Sequence, residues 1–219
     1  MDSTALITAI SDLGDSAVIT AIAVVAAIDL AWSGYRRAAL ILIAVLVAAA
    51  GAIGFLKVAV IGCSGGRFGP ELNSPSGHAA ISAAVLGTLS FVVGTQFRDW
   101  RRFIAPTIAI VLIILIGATR VLLGAHTVDE VVVGLAAGAA VVLPAVLLLR
   151  RSRVVRVRLG VLLCAIAITA AVTDGVRAPA EELVYYVAML VHRTVPMCAD
   201  AALGAPHGPR RPTRLAGAD

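Results

Sequence analysis

Apolar residues fill this chain in long runs instead of stripes. The stretches 40–56, 103–118 and 131–149 lack the polar residue at every third or fourth position that a soluble amphipathic helix needs. The runs predict six membrane helices, at residues 16–33, 38–60, 78–95, 103–122, 130–149 and 159–174. A hydrocarbon core takes about 20 apolar residues per helix. Several of these runs fall short, which tilt or local thinning of the bilayer absorbs. Abundant Ala, Gly and Val let the helix backbones approach closely. The expected fold is therefore all-α: a polytopic membrane protein built as a six-helix transmembrane bundle. Residues 1–15 read as an N-terminal surface segment, 16–175 as the membrane core and 176–203 as a region holding an interfacial helix. Within that region, 181–197 also allows a seventh span, which its charges disfavour. Residues 204–219, with Pro206, Pro209 and Pro212, read as a disordered tail.

Composition supports the membrane and argues against a nucleic-acid partner. Of 219 residues, 60% are hydrophobic and 14% charged, where a soluble domain needs about a quarter charged. The net charge of +5 comes from seventeen Arg and one Lys. The Arg residues sit in short clusters between apolar runs, the pattern of cytoplasmic loops and not of a nucleic-acid surface. Arg36 and Arg37, then Arg98, Arg101 and Arg102, then Arg150, Arg151, Arg153, Arg156 and Arg158 follow helices one, three and five. The positive-inside rule makes that side cytoplasmic and puts both termini outside. Cys63, Cys164 and Cys198 give neither a metal spacing nor a disulfide framework. Asp2, Asp12 and Asp15 replace the basic start of a cleavable signal peptide.

The opposite face holds few cations: Lys57, Arg67, Arg120 and Arg177. The first three fall in two segments rich in chemistry, KVAVIGCSGGRFGPELNSPSGH from Lys57 to His78 and TRVLLGAHTVDE from Thr119 to Glu130. Together these bring cations, two histidines, a serine and an acid to one membrane surface. Such a set suits phosphoryl transfer, whose transition state spreads negative charge over three equatorial oxygens. Arg and Lys bind those oxygens, and the amides of Gly77 and His78 at a helix start add an anion site. One histidine can attack phosphorus, and a second, protonated, can donate to the leaving oxygen. An acid one turn after the nucleophile can orient its ring.

At these residues the sequence resembles a known family. PSGH at Pro75–His78 and R-x5-H at Arg120–His126 look like the second and third signature motifs of the type 2 phosphatidic acid phosphatases, which share their site with vanadium haloperoxidases and bacterial acid phosphatases. The resemblance spans residues 57–140. It implies a metal-independent lipid phosphatase with no cofactor, whose partners are a phosphorylated lipid and the bilayer. It implies His126 as the nucleophile that forms a phosphohistidine and His78 as the general acid. Lys57, Arg67, Ser76, Gly77 and Arg120 hold the phosphate, and Glu130 stands where the family has Asp. The first motif departs from K-x6-R-P, since nine residues separate Lys57 from Arg67. Thr119 stands where the family often has Ser. Asp129 is also within a turn of His126, but Gly134 fits the family register through Glu130.

Each of these residues has a plainer reading. The histidines can be interfacial, Ser76 a helix cap and Arg120 a snorkelling side chain. GCSGGRFG at 62–69 reads as a hinge or lid, since it lacks the Lys-Ser/Thr of a nucleotide loop. Asp29 reads as reaching the interface near Arg36 and Arg37. Three functions compete with hydrolysis: phosphotransfer to an acceptor alcohol, lipid binding by a catalytically degenerate relative, and transport. Transport predicts broken helices or charges at the bilayer midplane, which the sequence lacks.

Overall fold

In a computed structural model of the chain, which describes residues 3–63, 74–150, 157–172, 184 and 186–191, each apolar run is a helix. They are α1 (Ser3–Leu13), α2 (Ser16–Trp32), α3 (Arg36–Cys63), α4 (Gly77–Gly94), α5 (Ile104–Leu122), α6 (Val128–Arg150) and α7 (Leu159–Val172), with a 3-10 turn at Asp99–Phe103 before α5. No strand occurs among the described residues. The GCSGGRFG segment lies largely outside the described residues, as do most of 176–203 and all of 204–219; residues 186–191 are helical.

The six expected helices all form, but they do not all meet the same standard as spans. α3, α4, α6 and the Asp99–Leu122 stretch are each long and apolar enough to cross a membrane. A fifth span arises if α1 and α2, bent by 44° at their junction, count as one. α7 is described over 14 residues, about 21 Å of helix, and among the described residues it is not one of the candidate spans. Several long apolar helices thus fit a membrane-embedded protein. Their outer faces agree: Leu40, Val47, Phe55, Ile108, Ile114, Val132 and Leu143 are all exposed, and lipid is the solvent in which such surfaces are stable.

α4 is the central helix. It is 67% buried, against 22–28% for the other three spanning stretches, and it packs against α3, α5 and α6. Its small residues allow this, with Ala79, Ala80 and Ala84 at most 1% exposed. On the facing side α6 offers Gly134 and Gly138. A β-carbon at Gly134 would collide with the carbonyl of Ser76, and one at Gly138 with the carbonyl of Ala80. This is the small-residue stripe by which membrane helices come into backbone contact.

α1 packs against α5 and buries Ser11. Asp29, expected to reach the interface, is 4% exposed and binds Arg158 at the start of α7. Arg158 N–H donates to Asp29 Oδ2 at 3.1 Å, and its Nε lies 3.7 Å from Oδ1. The pair joins α2 to α7.

The antiparallel course of the helices sets where the chemistry falls. From Arg36 to Lys57 is 21 residues along α3, about 31 Å at 1.5 Å per residue, so Lys57 lies at the far end from the Arg36–Arg37 pair. The start of α4, the end of α5 and the start of α6 share that end.

Candidate active site

The R-x5-H spacing is built by a helix stop followed at once by a helix start. α5 ends at Leu122 with Leu123 as its C-cap, and Gly124 takes a left-handed φ of 65°. Gly124 N–H then donates to Val121 O at 2.9 Å and Ala125 N–H to Arg120 O at 3.0 Å, the paired bonds of a Schellman stop. The Arg120 carbonyl also accepts from His126 N–H at 3.2 Å. Arg120 and His126 are thereby fixed to one turn of backbone.

α6 starts with a reciprocal cap. Glu130 N–H donates to Thr127 Oγ1 at 3.3 Å, and Thr127 N–H donates to Glu130 Oε2 at 3.2 Å. This is the capping box of a Thr-x-x-Glu sequence. The same Oε2 lies 2.8 Å from His126 Nδ1, with both side chains largely shielded from solvent. Oε1 accepts from Ser74 N–H at 2.7 Å, and the Glu130 backbone carbonyl accepts from Ser76 N–H at 3.0 Å. Glu130 therefore joins His126 to the PSGH turn. Asp129 is exposed, so the acid paired with His126 is Glu130.

The PSGH turn caps α4. Ser76 Oγ accepts from Ala79 N–H at 3.5 Å and Ser76 is fully buried. The first-turn amides of Gly77 and His78 lie at the positive end of α4. Lys57 approaches from α3: it is 8% exposed, and a β-carbon on Gly77 would sit 3.9 Å from its Nζ. A buried ammonium beside a helix N-terminus is a place for an anion. Arg120 reaches the N-terminal helix, its Nη1 donating to Ser11 Oγ at 3.1 Å. His78 Nε2 lies 3.4 Å from Asp15 Oδ2.

The structure thus brings Lys57, Ser76, Gly77, His78, Arg120, His126 and Glu130 to one end of the bundle, and Arg67 lies outside the described residues. Thr119, which replaces the family's Ser, is buried and its hydroxyl donates to Ile116 O at 2.7 Å, inside its own helix. Among the described residues, no three His, Cys, Asp or Glu side chains cluster as a metal site. Four residues around the site were not picked from sequence: Ser11, Asp15, Ser74 and Thr127. Thr127 was legible as the first residue of Thr-x-x-Glu before an apolar run, and Asp15 as the cap of α2. Nothing in the sequence tied Asp15 or Ser11 to residues 60 to 110 positions away.

No curated protein and no solved structure matches the chain. A family model does: the PAP2 superfamily, over residues 57–154. The match begins at Lys57, includes both motifs and ends just past α6. It coincides with the helices that build the site, and over residues 57–154 the chain is similar to the PAP2 superfamily.

Proposed function

We propose that this chain is an integral-membrane lipid phosphatase that hydrolyses a lipid phosphomonoester or diphosphate through a phosphohistidine. The family match supports phosphoester hydrolysis and the apolar helices support a membrane setting. The observation that carries the mechanism is the 2.8 Å contact between Glu130 and His126 Nδ1. A carboxylate on Nδ1 fixes the proton there, so Nε2 carries the lone pair for attack.

In this reading Lys57, Arg120 and the amides of Gly77 and His78 bind the phosphate oxygens and gain strength as charge moves onto them. Arg67 completes the set. Ser76 both caps α4 and contributes a hydroxyl to the phosphate. His126 Nε2 forms the N–P bond as the P–O bond to the lipid alcohol breaks, and His78 gives its proton to that oxygen. Water then cleaves the N–P bond and returns a proton to His78. The positive charge comes from side chains, so chelators leave turnover unchanged. We place the site at the extracytoplasmic surface, with α7 as the sixth span, because Arg36, Arg37, Arg98, Arg101, Arg102 and Arg150 flank the opposite ends of the helices. Substrate reaches it from the headgroup layer.

The test is phosphate release in detergent micelles by wild type and His126→Ala. The substrates are phosphatidate, phosphatidylglycerol phosphate, undecaprenyl diphosphate and a lipid A preparation, each with and without chelator. Chelator-resistant release that vanishes in the mutant supports the reading. No release from any lipid by folded wild type favours the degenerate, lipid-binding alternative. A phosphorylated acceptor alcohol among the products makes the enzyme a phosphotransferase.

A further inference from the structure

The bend between α1 and α2 is seated inside the bundle, against the proposed catalytic groups. Gly14 lies so close to α5 that a β-carbon there would collide with Ile116. Its carbonyl accepts from the buried Ser82 Oγ of α4 at 3.5 Å. Ser11, 1% exposed, receives the Arg120 guanidinium at 3.1 Å. Asp15 follows directly. Its Oδ1 accepts from Ala17 N–H at 2.8 Å and caps α2, which fixes the carboxylate and turns Oδ2 toward His78 Nε2 at 3.4 Å.

We infer that Asp15 is a positioning residue for His78, holding its ring so that it protonates the leaving oxygen. The inference rests on the proposed phosphoryl transfer and adds to it a residue from outside the segment matched by the family. The site then carries two carboxylate–imidazole pairs. Glu130 holds His126 for attack, and Asp15 holds His78 for proton donation. In the imidazolium form, Nε2–H faces Asp15 and the Nδ1 proton goes to the lipid alcohol as the P–O bond breaks. His78 is left neutral with Nε2–H still on Asp15. The proton returns from the water that cleaves the N–P bond.

A proton donor matters most when the leaving group is a strong base. The experiment measures single-turnover release of the leaving group by the full-length chain in micelles. It uses two substrates: phosphatidate, whose leaving group is an alcohol, and p-nitrophenyl phosphate, whose leaving group needs little protonation. Asp15→Asn is the chosen variant because Asn also caps helices, so α2 keeps its start. The expected result is a fall of about 10- to 100-fold for phosphatidate and less than about 3-fold for the aryl ester. In a His78→Ala background the same substitution has no further effect on either.

Equal falls on both substrates, or no fall on phosphatidate, overturn the inference while leaving the phosphatase reading intact. An additional loss in the His78→Ala background also overturns it, because Asp15 then acts through another group. Absence of turnover by folded wild type on the aryl ester and on all four lipids of the panel above overturns the phosphatase reading and this inference together.

Discussion

The backbone N–H of His126 donates to the carbonyl of Arg120 at 3.2 Å, so the proposed nucleophile and a proposed phosphate ligand share one turn. That turn depends on Gly124 at φ 65°. A β-carbon there has open space around it, so substitution acts through backbone strain alone. Gly124→Val should cost about 1–2 kcal/mol and lower phosphatase activity through both residues. Gly124→Asn, which tolerates the left-handed region, should recover most of the loss. Thermal unfolding in detergent and kcat on phosphatidate check the pair.

Glu130 and Asp129 are neighbours with different tasks. Glu130→Gln should lower kcat by roughly 10²–10⁴-fold, as expected when an imidazole loses the carboxylate that sets its tautomer. Asp129→Asn, at an exposed position, should stay within about 3-fold of wild type, the scale of a surface change of about 0.5 kcal/mol. A steady-state comparison of the two variants decides whether the assignment of Glu130 holds.

Gly134 keeps α6 in contact with the Ser76 carbonyl. Gly134→Ala should force the helices apart where PSGH meets Glu130, costing about 1–3 kcal/mol. Because the Ser74 and Ser76 bonds to Glu130 lie at the same contact, activity should fall with stability. The readouts are melting temperature and turnover measured on one preparation; a variant with wild-type values for both would refute the packing argument.

Asp29 and Arg158 hold α2 to α7 at the end remote from the site. Arg158 is 68% exposed on its side chain, so the ion pair itself is screened, and the part-buried hydrogen bond from its backbone N–H to Asp29 carries more. Asp29→Ala should lower stability by about 1–3 kcal/mol with kcat within about 2-fold of wild type, within the scatter expected away from the chemistry. Parallel melting curves and assays read this out.

The helices were legible because a membrane leaves so few alternatives: an apolar run must form internal hydrogen bonds along its whole length. The site was legible where its parts are close in sequence. Arg120, His126 and Glu130 lie within one stop-and-start of helix, so their spacing encodes their geometry. α3 is still helical at Cys63, past the expected end at 60. Asp15 and Asp29 were misread or overlooked for one reason. Each is an acid near a helix end, where capping or snorkelling is the local expectation, and each finds a partner that only tertiary packing supplies. Asp15 does cap its helix, yet one oxygen suffices for the cap and the other is left for His78.

The cap on α6 has a consequence for quality control. The carboxylate that would arm His126 is the same group that winds the first turn of its helix, through Thr127, and clasps the neighbouring PSGH turn, through Ser74. A chain whose α6 has frayed by one turn, or whose α4 has not docked, therefore loses the orientation of His126 as well. Under the proposed mechanism the imidazole of such a chain would be idle, and a half-inserted protein would stay chemically silent in the membrane until its helices had come together.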